Sequence, residues 1–262
     1  MVFTDFYAAS QVCSPTRASI LTGKYPARTD TTNYFAGRRS GTYGPAEFNT
    51  VMALDEVTFA ETLRDAGYST FFAGKWHLGQ VGHLPTDQGF EANKGGGSNG
   101  LPRSYFSPYK NVQNLKPGPD GEFLTDRLSK EAAAFIQRGA ESEKPFLLYL
   151  SFYSVHTPLQ APKSLIEKYE KKAAKLGIAD EDGSFDNEGA RQVWPNAEGY
   201  RKVRIRQDHA IYAAMVERAW IPAWGVFWIS SINPACETTR WWCSCQTLSL
   251  IHISEPTRRT PI

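Results

Sequence analysis

Cys13-Ser14-Pro15-Thr16-Arg17-Ala18-Ser19-Ile20-Leu21-Thr22-Gly23 places a cysteine where a helix should begin. Pro15 suits a first helical turn, where its missing N–H costs nothing. Gly23 suits the far end, where a left-handed residue closes the helix. A cysteine at a helix N-terminus sees partial positive charge and unpaired N–H groups. That setting suits an anionic substrate or a reactive group. The plainer alternative is a buried, inert thiol.

Outward from this run, apolar residues at Leu54, Val57, Phe59, Ala60 and Leu63 predict a helix over residues 51–65, with Gly67 as its cap. Tyr68 to Ala73 reads as a short buried strand that runs into Gly74-Lys75-Trp76-His77-Leu78-Gly79. Residues 80–123, rich in Gly, Pro, Asn and Ser, read as long loops. Leu124, Leu128, Ala132 and Phe135 share one face of a helix over residues 124–138. An apolar strand is expected over residues 145–153, leading to Ser154-Val155-His156-Thr157-Pro158, with helices over 165–176 and 205–218. Helix, strand and polar loop therefore repeat, which predicts an α/β layered domain with reactive residues at the carboxyl ends of strands.

Lys75 and His77 follow the first of these strands two residues apart. On an extended segment that spacing points both side chains one way, and a cation beside an imidazole makes an oxyanion clamp. The alternative is a loop lysine beside a packed histidine. Composition excludes more than it selects. A hydrophobic content of 41% supports a sizeable core, and a net charge of +2 offers no footprint for nucleic acid. No apolar run approaches the ~20 residues of a membrane span, and no signal peptide is present. The opening Met1-Val2-Phe3-Thr4-Asp5-Phe6-Tyr7 reads as a strand already under way, so the native N-terminus is expected upstream.

Three blocks together resemble the formylglycine-dependent (type I) sulfatases of the alkaline-phosphatase-like superfamily. The first is the opening run, with its Cys13, Pro15, Thr16, Arg17 and Gly23. The second is Gly67-Tyr68-Ser69-Thr70 through Gly74-Lys75-Trp76-His77-Leu78-Gly79, and the third is Tyr149 to Pro158 with its histidine, His156. Gly89-Phe90-Glu91, Tyr105 to Tyr109 and Leu124 to Leu128 also look like bacterial sulfatases that act on carbohydrates. The resemblance spans residues 2–218. It implies an α/β, alkaline-phosphatase-like fold, a mixed sheet layered between helices and incomplete in this chain.

The resemblance also implies a hydrolase, an arylsulfatase-like enzyme cleaving sulfate esters, with carbohydrate sulfates as the expected substrates. Cys13, oxidised to formylglycine and hydrated, would attack sulfur and would bind Ca²⁺, the expected cofactor. Arg17 would orient position 13 and Lys75 would hold the sulfate. His156, with a second lysine not identified in this chain, would assist the leaving oxygen. His77 would take the proton that lets the sulfated intermediate collapse by elimination. The implied partners are a sulfated small molecule or glycan and a formylglycine-generating or sulfatase-maturing enzyme, with no nucleic acid and no membrane. The implied location is periplasmic or secreted. A phosphonate or phosphodiester hydrolase of the same superfamily is the alternative activity.

The family's acidic metal ligands are missing from this chain: one pair is expected upstream of Met1, the other beyond the last helix. From Ala219 onward the chain departs from the family. Five of the seven tryptophans and three of the four cysteines (Cys236, Cys243, Cys245) fall after residue 219. A slipped reading frame accounts for this. Regrouping bases forces aspartate from Trp220-Ile221 and from Trp228-Ile229, and two valines from Trp241-Trp242-Cys243. Codon choices exist that restore a helix, a turn and a strand ending in aspartate. Leu248 to Arg258 looks like a translated sequencing adapter. Residues 1–218 are therefore expected to be a partial sulfatase domain, and 219–262 a non-native tail, frameshifted to about 247 and adapter-like over 248–262. The alternative is a native Trp/Cys-rich module, though its cysteine spacing fits no zinc pattern. The polypeptide as written is expected to be inactive for want of those ligands.

Overall fold

The structure, a computed structural model, describes residues 7–37, 46–142, 144–178, 185–191, 200–206 and 208–219. All but Tyr7 of the strand expected over residues 1–7, and the segment 220–262, lie outside them. Helix α1 spans Cys13–Thr22 and closes on Gly23, whose φ is 69° and whose N–H donates to Ser19 O at 2.9 Å. Then follow α2 (Phe59–Asp65), β1 (Ser69–Gly74), β2 (Ala92–Lys94), α3 (Leu124–Ala140), β3 (Phe146–Ser151), α4 (Lys163–Lys175), β4 (Phe185–Arg191) and β5 (Tyr200–Arg204). A last helix, α5, covers residues 210–219.

The central sheet has order β2-β1-β3 and is parallel in its described strands. β4 and β5 form a separate antiparallel pair. β1 is covered on both faces, as parallel strands in α/β domains are. Its side chains alternate between two cores. Phe71 and Ala73 join the Tyr105, Leu124, Leu128 and Val155 cluster. Phe72 joins Ala18, Leu21, Ala60, Trp76 and Phe90. α3 supplies Leu124 and Leu128 to the first core, with Phe135 packed against it, and Ala132 and Ile136 continue the buried stripe at four-residue spacing. No helix among the described residues is long and apolar enough to cross a membrane.

Three elements differ from expectation. The helix predicted over 51–65 starts only at Phe59, because Thr58 and Glu61 form a reciprocal capping box that fixes the start there. Residues 51–57 are turns, and Leu54 and Val57 are 51% and 64% exposed. The predicted loop over 80–123 contains β2, whose Ala92, Asn93 and Lys94 pair with Phe71, Phe72 and Ala73. The last helix begins near residue 210 rather than 205, with Tyr212 N–H on His209 Nδ1 at 3.3 Å and Arg204 ion-paired to Asp208 in the approach.

Candidate active site

β1 and β3 run side by side and deliver two loops to the same end of the sheet. Gly74 pairs with Ser151 at the last register position, and Lys75 N–H donates to Ser151 O at 2.7 Å. A Cβ on Gly74 would stand 1.7 Å from Ser151 O, and its φ is 112°, so only glycine lets the two strand ends approach.

Cys13, 3% exposed, is the first residue of α1, with Val12 as a cap that offers no side-chain bond. The helix N-terminus thus faces this end of the sheet uncapped by any side chain. Arg17, one turn on and 2% exposed, donates from Nη1 to Lys75 O at 2.6 Å and to Ser151 Oγ at 2.7 Å. The guanidinium therefore joins α1, the β1 exit and the end of β3. Ser14 Oγ donates to His77 O at 2.9 Å and accepts from Phe35 N–H at 3.1 Å. Thr16 Oγ1 anchors the preceding loop by donating to Ser10 O at 2.7 Å and accepting Ser10 N–H at 3.0 Å.

Lys75 is 1% exposed, and its Nζ has no nitrogen or oxygen partner among the described residues, only the neighbouring Cys13 sulfur. Burial pushes its pKa from 10.5 down to about 8, with Cys13 pulling it back up and Arg17 adding to the depression. His77 has a left-handed backbone, φ 56°, a conformation that costs a side-chain-bearing residue about 1–2 kcal/mol. Its N–H donates to Gly97 O at 2.9 Å, and with the Ser14 bond this holds the turn. The ring packs against Gly100, where a Cβ would stand 2.5 Å from His77 Cε1. Nε2 lies 3.3 Å from Phe35 O. A carbonyl only accepts, so Nε2 carries the proton and Nδ1 is the acceptor nitrogen. Nδ1 has no hydrogen-bond partner among the described residues. Burial lowers the ring's pKa, opposed by Cys13 and reinforced by Lys75, so the imidazole stays neutral.

Cys13, Arg17, Lys75 and His77 are thus one buried cluster. The co-direction of Lys75 and His77 does not come from strand alternation, because β1 ends at Gly74. It comes from the turn at His77, while Trp76 between them packs on Phe72 at 5.3 Å and donates to His83 O at 2.8 Å. The bonds described for this cluster do not run through His156. That residue sits on the loop leaving β3, 5% exposed, with Nδ1 3.1 Å from both Thr157 O and Thr157 Oγ1. Ser14 and Ser151 were not singled out from the sequence. No local pattern marks Ser151, whose partner Arg17 lies 134 positions away.

The family model for sulfatases matches residues 1–219. The chain belongs to the sulfatase family. It is 32% identical over 192 residues to human arylsulfatase G, covering 61% of this chain and 35% of that protein. Porcine N-acetylgalactosamine-6-sulfatase is 33% identical over 191 residues, covering 63% and 35%. The chain spans about a third of the length of these curated relatives. In architecture it is similar to the crystal structure of Ps i-CgsB, with a TM-score of 0.55 at 24% identity over 86% of this chain and 46% of that one. That likeness speaks to the fold, as sulfatase-like α/β with a parallel sheet flanked by helices.

Proposed function

We propose that the protein hydrolyses sulfate esters, carbohydrate sulfates above all, at position 13 after enzymatic oxidation of Cys13 to formylglycine. The carrying observation is the buried set of Lys75, Arg17 and His77 around Cys13, with no nitrogen or oxygen partner for Lys75 Nζ and His77 Nδ1 among the described residues. A buried ammonium whose only charge-stabilising neighbour is the Cys13 sulfur, with a guanidinium close by, is unfavourable until an anion arrives. A sulfate ester brings both the charge and the acceptor oxygens. The name of the porcine relative, N-acetylgalactosamine-6-sulfatase, supports a sulfated sugar.

The cluster fits formylglycine, since an uncapped helix N-terminus, a cation and an acceptor imidazole all act on one small side chain. Hydrated, that aldehyde supplies a hydroxyl nucleophile beside a second hydroxyl. Lys75 holds a sulfate oxygen and offsets charge as the ester bond breaks. Arg17, fixed by two short bonds, keeps the Lys75 backbone and the start of α1 in register. His77 takes a proton at Nδ1, for which its neutral state suits it. His156 delivers a proton to the leaving oxygen. Its Nδ1 contact with a carbonyl holds a proton there, so Nε2 faces the substrate. The ring gives up its Nε2 proton from the doubly protonated imidazolium, which returns to the Nδ1–H neutral form.

Ca²⁺ takes about 6–8 oxygen ligands, carboxylates prominent among them. Among the described residues no three of His, Cys, Asp or Glu gather to hold a metal, and the side chains around Cys13 are cationic. These residues do not by themselves fit Ca²⁺. In this proposal the acidic ligands come from outside them, residues 1–218 form part of a sulfatase catalytic domain, and 219–262 is a non-native tail. The family match running to residue 219 supports that boundary. A maturing enzyme and export to the periplasm or beyond complete the proposal.

The test is to co-express the protein, the family's acidic ligands restored around residues 1–218, with a formylglycine-generating enzyme and confirm conversion of Cys13 by peptide mass spectrometry. Release of sulfate from sulfated sugars is then compared with turnover of an aryl phosphodiester. Much faster diester turnover overturns the reading.

A further inference from the structure

We propose that Tyr105 is a positioning residue for His156, an inference that rests on the sulfatase reading of the site. Residues 153–156 form a tight turn in which His156 N–H donates to Tyr153 O at 3.0 Å. The Tyr105 hydroxyl reaches both ends of that turn, donating to Tyr153 O and to His156 O, each at 2.8 Å. Both acceptors are carbonyls, so the hydroxyl is the donor and its proton is shared between them. Tyr105 is fully buried, at 0% exposure, and its ring stacks on Phe123 at 5.6 Å. Burial raises its pKa far above the ordinary phenol value, so the donor persists at any working pH.

The residue is itself anchored at both backbone groups. Its N–H donates to Gln160 Oε1 at 2.8 Å, beyond His156 in the chain. Its carbonyl accepts Leu124 N–H at 2.7 Å, at the first residue of α3. One position on, Thr125 Oγ1 lies 3.1 Å from Ser154 Oγ inside the turn. The His156 turn is thus gripped from the 97–105 loop and from the start of α3. The 97–105 loop also accepts His77 N–H at Gly97 O and packs Gly100 on the His77 ring. A single segment therefore leans on both histidines, and Tyr105 is its contact with His156.

Proton delivery to a leaving oxygen needs the imidazole within a fraction of an ångström of its working position. Losing the shared hydroxyl should therefore matter in proportion to how much the leaving group needs the proton. Tyr105→Phe keeps the ring stack and removes only the hydroxyl. On the chain itself, ring signals of the histidines, assigned by single His→Gln variants, report placement directly. Tyr105→Phe is expected to move the His156 signals and leave His83, which bonds Met52 O in the other core, in place. In the mature enzyme it should slow sugar sulfate hydrolysis by ~10-fold and 4-nitrophenyl sulfate hydrolysis by less than ~2-fold, a share of the ~10²–10⁴ that acid–base catalysis supplies. Unmoved His156 signals, or equal slowing of both esters, overturns the proposal. Should Tyr105→Phe fail to fold, Thr125→Val makes the same test from the α3 side, with the same signals deciding. If the wild-type enzyme cleaves neither ester, the sulfatase reading fails, and the ring signals still judge the placement of His156.

Discussion

The two strand exits at this end of the sheet are built on opposite plans. At the β1 exit, Lys75 and His77 are buried with polar atoms left without a nitrogen or oxygen partner among the described residues, a depressed lysine pKa and a left-handed backbone at His77. At the β3 exit, Tyr105, Thr125 and Thr157 bond to the His156 turn. Unsatisfied buried groups in a native fold mark a place where something else binds. Satisfied networks hold a group in one geometry. In the proposed reading the β1 exit is the anion seat, and the β3 exit a rigid mount for one proton donor.

The largest expected effect breaks both exits together. Gly74→Ala forces a Cβ into Ser151 O, and the loss of fold stability measured by urea denaturation should exceed ~4 kcal/mol, in the range reserved for severe backbone conflicts. Next, Lys75→Met should lower kcat/KM for sulfate esters by ~10²–10³, as removal of one charge-stabilising donor does.

The same substitution should stabilise the protein at neutral pH, because the native fold holds Lys75 at a depressed pKa. With a folded pKa of about 8 against 10.5 unfolded, the unfolded chain binds more protons between these values. Relative to Lys75→Met, wild-type stability should therefore rise as pH increases from about 8 to 10.5, by an order of 3 kcal/mol at ~1.4 kcal/mol per pKa unit. The raised pKa values of buried Tyr105, Tyr109 and Tyr153 lower the stability of both proteins alike near the top of that window. Urea midpoints of the two proteins across that window check it, and an unchanged gap between them contradicts it. Sulfate added below pH 8 should also raise the wild-type melting temperature more than that of Lys75→Met. The smallest effect belongs to the other exit. His156→Ala should cost ~10² in kcat on sugar sulfates and under ~10 on 4-nitrophenyl sulfate, whose leaving group needs little protonation.

Much of this arrangement was legible in the sequence because its signals are local. Pro15 and Gly23 bracket α1, and the apolar stripe of Leu124, Leu128, Ala132 and Phe135 spells α3. The strands read over 68–73 and 145–153, which end within two residues of where β1 and β3 end, are followed by Lys75, His77 and His156. The α2 start was legible too, in Thr58 and Glu61, but an apolar pattern running back to Leu54 obscured it. Strand β2 has three residues and no periodicity to read. The parts that hold the site together were not legible. Ser151 becomes a partner of Arg17 only once β3 lies beside β1, and Tyr105 meets His156 across 51 positions. A left-handed His77 follows from Ser14 and Gly97 bonding to its backbone, not from its own preference.

The most direct test is sulfate release from a sulfated sugar by the protein with the family's acidic ligands restored around residues 1–218, co-expressed with a formylglycine-generating enzyme and supplied with Ca²⁺, beside its Cys13→Ala variant. The account predicts inorganic sulfate from the first and only background from the second, while both remain folded. Equal release from both, or none from a protein whose Cys13 is fully converted, would contradict it.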